Sequence, residues 1–248
     1  MNVSMALLAM EGFDNVEEVR VWDGGLPQKP EAPWNYNLFF NIVGLTNEYD
    51  GDAYFIRDGK VAEVPCFEDI EKLSFNGIGE LEAAVTSGGL STMPWTYEGK
   101  IKLLENKTLR YLGHWEQMLA YRQLGLFQEE KINFNGSSIS PREFYHHLLE
   151  PHLLANSPKD ICIMRTEATG LLDGKSHTKR VECIEKYNEG TGFLAMEMWT
   201  GFHASMVMQH IASSKIPVGA HPIEKALSGT DFYNYSKARG YNIHISSC

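Results

Sequence analysis

Two blocks of sequence decide the fold of this chain: Thr86-Ser87-Gly88-Gly89-Leu90-Ser91-Thr92, and Asn106-Lys107-Thr108-Leu109-Arg110-Tyr111-Leu112-Gly113-His114. The first block predicts a turn, because its small side chains leave backbone N–H groups open to close approach by a ligand. The second block predicts a strand that Gly113 ends, followed by a helix. Alternation along that strand puts one set of side chains (Lys107, Leu109, Tyr111) opposite another (Asn106, Thr108, Arg110).

The two cations of the second block, Lys107 and Arg110, suggest an anion site. They stand where a strand gives way to a helix start, which is a common place for carboxylate or phosphate binding. The competing interpretation is structural. A Gly-Gly turn is often only a turn, and a strand-end cation is often solvated or paired with a nearby acid such as Glu82. The pattern alone leaves both interpretations open.

Three blocks in this order resemble the catalytic-domain motifs of the saccharopine dehydrogenase family: Gly24-Gly25-Leu26-Pro27, the 86–92 turn, and Lys107 to Tyr111 with Gly113-His114. The branch in question contains saccharopine reductase, lysine 6-dehydrogenase and carboxynorspermidine dehydrogenase. The resemblance covers nearly the whole chain. A further block, Thr191 to Met196, is similar to the family's Thr-Gly-x-x-Ala-Met, but Met198-Trp199-Thr200 stands where relatives often have an Arg and paired threonines.

The fold that the sequence and the resemblance together favour is α+β, with a mixed, largely antiparallel sheet and helices on one face. We expect residues 1–248 to form a single catalytic, substrate-type domain. Within it, residues 1–23 and 190–248 are expected to be a remnant of the family's nucleotide-domain layer. Residues 24–189 are expected to be the sheet domain, which in the family supplies the substrate site and dimer contacts.

The resemblance implies a substrate-binding and dimerisation domain of an oxidoreductase of lysine or related amino-acid metabolism. It would act on an amino acid or an amino-acid-derived amine or imine, with NAD or NADP as cofactor. The implied roles are Arg110, Thr108, Ser87, Gly88 and Gly89 for the substrate, Lys107 or His114 for proton transfer, and Gly24, Gly25 and Leu26 for the cofactor. The pattern does not choose between Lys107 and His114, although a histidine ordinarily titrates near neutrality.

No nucleotide-binding fingerprint occurs in this sequence. Gly77-Ile78-Gly79 lacks the third glycine and the acidic residue after the next strand, so we reject it as a dinucleotide motif. Family members begin with a Rossmann half, and this chain resembles only the part of them that comes after it. We therefore expect it to need a separate Rossmann-domain polypeptide and to bind neither NAD nor NADP alone. The alternative is a non-catalytic amino-acid-binding or structural subunit derived from that family.

Composition narrows the classes of partner. A net charge of −10 leaves no basic surplus for nucleic acid, and no apolar run reaches membrane-spanning length. The four cysteines (Cys66, Cys162, Cys183, Cys248) include no Cys-x-x-Cys pair, which favours free thiols in a reducing cytoplasm. The histidines around Pro151 match no zinc signature, so no metal site is expected.

The remaining pattern gives the expected elements. The predicted strands are Glu17 to Asp23 (ending at Gly24-Gly25), Asn37 to Val43, Ala53 to Arg57, Val61 to Val64, Ile70 to Phe75, Ile132 to Phe134, Asp160 to Thr169, Thr178 to Tyr187 and Tyr241 to Ile245. The predicted helices are residues 2–12, Ser140 to Leu149, Thr191 to Ser213 and Phe232 to Ala238. The third of these helices is apolar nearly all round, so we expect it to be buried or to contact a partner, and we expect a homodimer.

Overall fold

The computed structural model of the protein describes residues 1–155, 158–216 and 218–247. The strands are β1 (Asn15–Pro27), β2 (Asp52–Arg57), β3 (Lys60–Pro65), β4 (Glu71–Phe75), β5 (Gly79–Val85), β6 (Leu103–Tyr111), β7 (Ile132–Phe134), β8 (Ser137–Ile139), β9 (Asp160–Leu172), β10 (Lys175–Lys186) and β11 (Ile243–Ser247). The helices are α1 (Asn2–Met10), α2 (Ile42–Glu48), α3 (Met93–Tyr97), α4 (His114–Gln123), α5 (Pro141–Leu153), α6 (Ala195–Ala212), α7 (Ile223–Ala226) and α8 (Gly229–Ala238).

In the described residues, nine strands form one mixed sheet. Its order is β11-β10-β9-β1-β6-β2-β3, and the β4–β5 hairpin joins it through pairing of β5 with β6. The central pair, β1 and β6, is parallel, whereas the other described pairs are antiparallel. Strands β7 and β8 form a small separate hairpin. The predicted α+β fold with a largely antiparallel sheet is confirmed.

The helices pack on one face of the sheet. Val21 of β1 and Leu104 of β6 point to this face and join an apolar cluster with residues of α1, α6 and α8. Arg110 stands six residues after Leu104 and so faces the same side of β6. It meets Tyr49, directly after α2, and Trp115 in α4. Helices α2, α4 and α5 therefore cover the other end of that face around a second apolar cluster.

The opposite face carries a smaller apolar cluster and a set of ion pairs. Trp22 and Leu109 belong to that cluster, to which the β4–β5 hairpin contributes Phe75 and Leu81. Side-chain ion pairs on this face join Arg165 to Glu182 at 2.7 Å, Lys107 to Glu71 at 2.9 Å and Arg180 to Glu167 at 2.7 Å. The helical face holds most of the core, because its two apolar clusters together are much larger than the one on the opposite face.

Several local predictions are confirmed. Asp58-Gly59 turns β2 into β3, and Asp173-Gly174 joins β9 to β10, with positive φ at all four residues. Ser140 caps α5 by accepting a hydrogen bond from the Glu143 N–H at 3.3 Å. That helix extends beyond the predicted end, to Leu153, with Pro151 inside it. Cys66, Cys162 and Cys183 are free and buried, whereas Cys248 lies outside the described residues.

The prediction that β1 ends at Gly24-Gly25 is wrong. The strand continues to Pro27, and Gly24 and Gly25 pair with Ile163 and Cys162 of β9. The two glycines serve close packing rather than a turn. A Cβ on Gly24 would lie 2.5 Å from the Leu109 carbonyl oxygen, and a Cβ on Gly25 would lie 2.2 Å from the Met196 methyl carbon.

The predicted strand from Asn37 to Val43 is also wrong, because helix α2 begins at Ile42. The Asn41 side chain accepts a hydrogen bond from the Val43 N–H at 2.8 Å and caps the helix. The run of apolar residues before Asn41 resembles a buried strand, yet the asparagine marks a helix start. This correction matters because α2 carries an acidic residue into the candidate site.

The two glycines of β1 predict opposite outcomes for one added methyl group. We expect Gly24→Ala to lose about 1–3 kcal/mol of unfolding free energy, because a backbone oxygen cannot move aside. Gly25→Ala meets only the end of a flexible methionine side chain, so it should lose less. Urea unfolding of both variants checks this. Equal losses, or a larger loss for Gly25→Ala, would contradict the packing explanation.

Candidate functional site

Arg110 lies in a box of aromatic rings at the carboxyl end of β6. Its side chain is buried, and its guanidinium carbon lies 4.9 Å from the ring centre of Tyr36 and 5.8 Å from those of Tyr49 and Trp115. Arg110 Nε donates to the Tyr49 hydroxyl at 2.9 Å, and Nη1 donates to the Leu109 carbonyl at 3.0 Å. Aromatic faces favour a cation held over them, so the box keeps the charge in place out of water.

The acidic partner of Arg110 is Glu48 at the end of α2. Arg110 Nη2 lies 3.5 Å from Glu48 Oε2, which is a loose contact, and the Glu48 side chain is 39% exposed. Glu82, the partner that the sequence suggested, instead accepts the Trp115 backbone N–H at 3.2 Å. The guanidinium therefore keeps donor capacity on Nη2, facing a carboxylate that has a route to solvent.

The glycine-rich segment 86–92 forms the turn that the sequence predicts, with positive φ at Gly88 and Gly89. Its hydrogen bonds and close packing connect β6, the strand that carries Arg110, with helix α2. Ser87 donates through its hydroxyl to the Asn47 carbonyl at 2.7 Å and through its N–H to the Glu48 carbonyl at 2.9 Å. A Cβ on Gly89 would lie 2.7 Å from Asn106 Cγ, so this turn lies directly on β6.

Thr108 lies inside this arrangement. Its hydroxyl is within 2.7 Å of the Thr86 hydroxyl, and both side chains are buried. Thr86, Ser87, Gly88, Gly89, Thr108 and Arg110 thus come from the two sequence blocks to one end of the sheet, on its helical face.

Asp23 joins the site from the neighbouring strand β1, one residue before the glycine pair. Its Oδ1 accepts hydrogen bonds from Asn106 Nδ2 at 2.9 Å and from Asn2 Nδ2 at 3.0 Å. Asn2 Nδ2 also lies 2.7 Å from Asn106 Oδ1, so three side chains form a closed network. The network orients the carboxylate of Asp23 beside the end of β6.

A cavity of about 420 Å³ adjoins this network. It is lined by Asp23, Gly24 and Gly25 of β1, Cys162 and Met164 of β9, Met196, Trp199, Thr200, His203 and Ala204 of α6, and Met1 and Asn2. Asp160 holds α6 over this space, because its carboxylate accepts the backbone N–H groups of Ala195 and Met196 at 2.7 and 2.8 Å. Helix α6 is therefore one wall of the cavity.

His114 opens α4 next to the aromatic box. The ring is buried, and its Nε2 lies 2.9 Å from the Tyr49 hydroxyl. Burial and the nearby charge of Arg110 lower the pKa of His114 well below its ordinary value. The expected titration near neutrality therefore does not hold, since the imidazole is neutral at pH 7 in this setting.

Lys107 is held on the other face of the sheet. Its amine donates to the Asp69 carbonyl at 2.8 Å and to Glu71 Oε1 at 2.9 Å, and the side chain is buried. A separation of three residues along a strand reverses the side, so Lys107 and Arg110 face different surroundings. The structure does not bring these two cations to one carboxylate.

The three residues expected to face a cofactor lie on two sides of the sheet. Gly25 borders the cavity opposite the Met196 methyl, and the Gly24 backbone also lines it. Leu26 is fully buried in the apolar cluster of the opposite face, so its side chain does not reach the cavity.

Several other features of the described residues lie outside the surroundings of Arg110. No cluster of three or more His, Cys, Asp or Glu in the described ranges is arranged to hold a metal ion. His146, one of the histidines near Pro151, has its Nε2 2.7 Å from the Thr46 hydroxyl. Among the same residues, no helix has both the length and the apolar character needed to cross a membrane. A groove of about 590 Å³ lies beside Tyr36 and is bordered by Gln28, Lys159 and His152.

Sequence reasoning missed several residues of the site. Asp23 and Asn106 were findable, because each adjoins a block that the resemblance had already marked. Tyr36, Glu48 and Tyr49 carried no such signal. They reach Arg110 only through tertiary packing, and the wrong strand prediction between Asn37 and Val43 concealed helix α2.

Comparison with known proteins assigns the class. The chain belongs to the saccharopine dehydrogenase C-terminal domain family, whose model matches residues 4–236. The resemblance found in the sequence motifs is therefore confirmed, and it supports an oxidoreductase-like domain. The chain is also similar to a solved structure of apo, histidine-tagged saccharopine dehydrogenase (L-Glu forming) from Saccharomyces cerevisiae. That match has a TM-score of 0.70 and 13% sequence identity, and it covers 94% of this chain and 67% of that one. At this low sequence identity, the match to the solved structure is evidence for the fold alone.

The carboxyl of Asp23 leads to a prediction about stability and pH. Burial raises the pKa of Asp23, while the Asn106 hydrogen bond and the positive charges of Arg110 and the Met1 amine oppose that rise. A carboxyl with a raised pKa stabilises the fold fully below its unfolded pKa of about 4 and loses that contribution as the pH rises through its folded value. Asp23→Asn keeps an acceptor oxygen without the charge. At pH 7 we expect the free energy of unfolding of this variant to exceed that of the parent by about 1 kcal/mol, which corresponds to about 2–4 °C in Tm.

Thermal melts from pH 4 to pH 8 check this, and the gain should vanish near pH 4. Asp173→Asn, in the exposed β9–β10 turn, is the control and should show no such pH-dependent gain. A variant Asp23→Asn that is less stable than the parent across the whole range would show that the fold needs the negative charge.

Proposed function

We propose that this chain is the substrate-binding and dimerisation domain of a saccharopine dehydrogenase-like oxidoreductase. It acts on an amino acid or an amino-acid-derived amine or imine, together with NAD or NADP. A separate Rossmann-domain polypeptide supplies the nucleotide-binding half. The observation that carries the proposal is the position of Arg110, which is buried in an aromatic box at the end of β6 and whose charge acts on Asp23, a lining residue of the cavity.

Arg110 is the anchor for a substrate carboxylate. Guanidinium groups bind carboxylates through two parallel hydrogen bonds from two of their nitrogens. Once Glu48 moves, Nη2 and the second N–H of Nη1 are the donors left for a ligand carboxylate. Glu48 is the group that a ligand carboxylate would replace, because its contact is long and its side chain is partly exposed. Ser87, Gly88, Gly89 and Thr108 support the same end of the site through hydroxyl and backbone groups.

The proposed chemistry is the reversible oxidation of an amine to an imine at the carbon that bears the nitrogen. The imine is hydrolysed in one direction and formed in the other. When bound, the nicotinamide would supply the hydride-transfer capacity, and Gly24 and Gly25 are the residues that would face it. The chain's own residues orient the substrate and exclude water from the cavity beneath α6. Lys107 and His114 remain the predicted proton-transfer groups, although Lys107 faces the other side of the sheet and His114 is buried against Tyr49.

We also propose that the domain forms a homodimer through its sheet, with help from the terminal helices. Apolar side chains at the surface support this proposal. Helix α6 exposes Met208 and Ile211, and Phe193 before it is also exposed. Exposed apolar residues that recur on one helix are typical of an interface.

Substitution of Arg110 tests the carboxylate anchor. We expect Arg110→Lys to weaken binding of saccharopine, L-lysine and glutarate by about 1–3 kcal/mol, because the planar two-point fork is lost while the charge remains. Calorimetry without cofactor measures the affinity, and thermal melts record stability in the same samples.

Arg165→Lys is the matched control. Arg165 also stacks on an aromatic ring, at 4.1 Å from Phe75, and pairs with a glutamate at 2.7 Å, but on the opposite face of the sheet. It should lower stability and leave ligand affinity unchanged. A parent chain that binds none of the three ligands, or an Arg110→Lys variant that loses only stability, would make Arg110 a structural residue.

A further inference from the structure

The cavity beneath α6 contains a carboxylate whose second oxygen is unused. Asp23 Oδ1 takes both amide donors of the network, from Asn2 and Asn106. Within the described ranges, Oδ2 accepts no hydrogen bond and Asp23 forms no salt bridge. Arg110 commits its donors to Tyr49, Leu109 and Glu48 instead.

A carboxylate held this way has no direct ion-pair partner in the described part of the chain, and the charges of Arg110 and the Met1 amine act on it only from beyond salt-bridge distance. Burial of an ionised carboxylate is costly unless a cation or several donors face it. The amide network fixes the direction of the group, because two asparagines must both reorient before Asp23 turns. Its free oxygen therefore presents a preorganised acceptor to the cavity that Cys162, Trp199 and His203 also line.

A second observation points to a ligand beside Arg110, the proposed carboxylate anchor. Tyr36 is 3% exposed, and its hydroxyl has no hydrogen-bond partner within the described residues. Burial raises the pKa of Tyr36 to about 12, and Arg110, Glu48 and Cys162 are the charged or ionisable groups that act on it. The hydroxyl belongs to a ring that Arg110 covers at 4.9 Å, so a polar molecule bound beside Arg110 would satisfy it.

We propose that Asp23 binds the amine or imine nitrogen of the substrate while Arg110 holds its carboxylate. The inference rests on the proposed function and adds a cation subsite to its anion subsite. The chemistry fits, because an ammonium or iminium nitrogen carries both the positive charge and the N–H donor that Asp23 Oδ2 lacks. The two subsites together select an amino acid over a simple carboxylic acid.

Matched ligand pairs test the cation subsite directly on the full chain without cofactor. The pairs are L-glutamate with glutarate and L-lysine with hexanoate, each differing by loss of amine groups. By calorimetry, the parent should prefer the amine-containing member of each pair by about tenfold or more, as for a charge-assisted hydrogen bond. Asp23→Asn should remove most of that preference and leave the affinity for glutarate within about twofold.

Two further variants keep the test decisive. Glu48→Gln removes the other acid near Arg110 and should retain the amine preference, which separates the roles of the two carboxyls. Glu82→Gln removes a buried acid that pairs across the strands with Arg110 and accepts the Trp115 backbone N–H, and it should leave the affinity for both members of each pair unchanged. Asp23→Ser, which is smaller and uncharged, replaces Asp23→Asn if the latter fails to fold.

The outcomes distinguish this inference from the proposed function. If carboxylates bind and depend on Arg110, but the parent does not prefer amines, the Asp23 subsite is wrong and the carboxylate anchor stands. Equal loss of both ligand classes in Asp23→Asn also overturns the subsite. If no ligand of either class binds the parent chain, the anchor and the subsite fall together.

Discussion

The arrangement of this molecule depends on keeping one guanidinium out of water. A buried Arg110 must have its charge and its N–H groups satisfied, and elements distant in sequence combine to do this. Tyr36 comes from the segment after β1, Glu48 from the end of α2 with Tyr49 directly after it, and Trp115 from α4. The 86–92 turn holds α2 in position through Ser87. Removing the guanidinium would therefore leave several elements without their common contact.

The charges around Arg110 are incompletely balanced, and that imbalance is what makes the region a functional candidate. Glu48 contacts Arg110 only loosely, and Asp23 lines a cavity without forming a salt bridge among the described residues. Burial raises the pKa of Asp23 and lowers that of His114. Perturbed pKa values that lie close together are typical of sites that bind charged ligands, because a ligand supplies the charged partners that the buried groups lack. An amino acid carries both of those partners.

The sequence predicted those parts of the fold that local chemistry decides. Gly113 after β6, Ser140 before α5 and the Asp-Gly turns each act within a few residues, and the structure has them as predicted. It did not predict contacts made across the sheet. Gly24 and Gly25 look like a turn in sequence, because only the tertiary structure shows how closely Leu109 and Met196 approach them. The alternation along β6 already placed Lys107 and Arg110 on opposite faces. The sequence alone was therefore enough to reject a site in which both cations bind one carboxylate.

The central claim is that Arg110 is a ligand anchor with a replaceable resident carboxylate. A crystal structure of the chain with saccharopine tests it most directly. The account predicts a substrate carboxylate on Arg110 Nη2, the Glu48 side chain turned towards solvent, and a substrate nitrogen at Asp23 Oδ2. A complex in which saccharopine binds elsewhere, while Arg110 keeps Glu48 and the cavity beneath α6 holds no ligand, would contradict it.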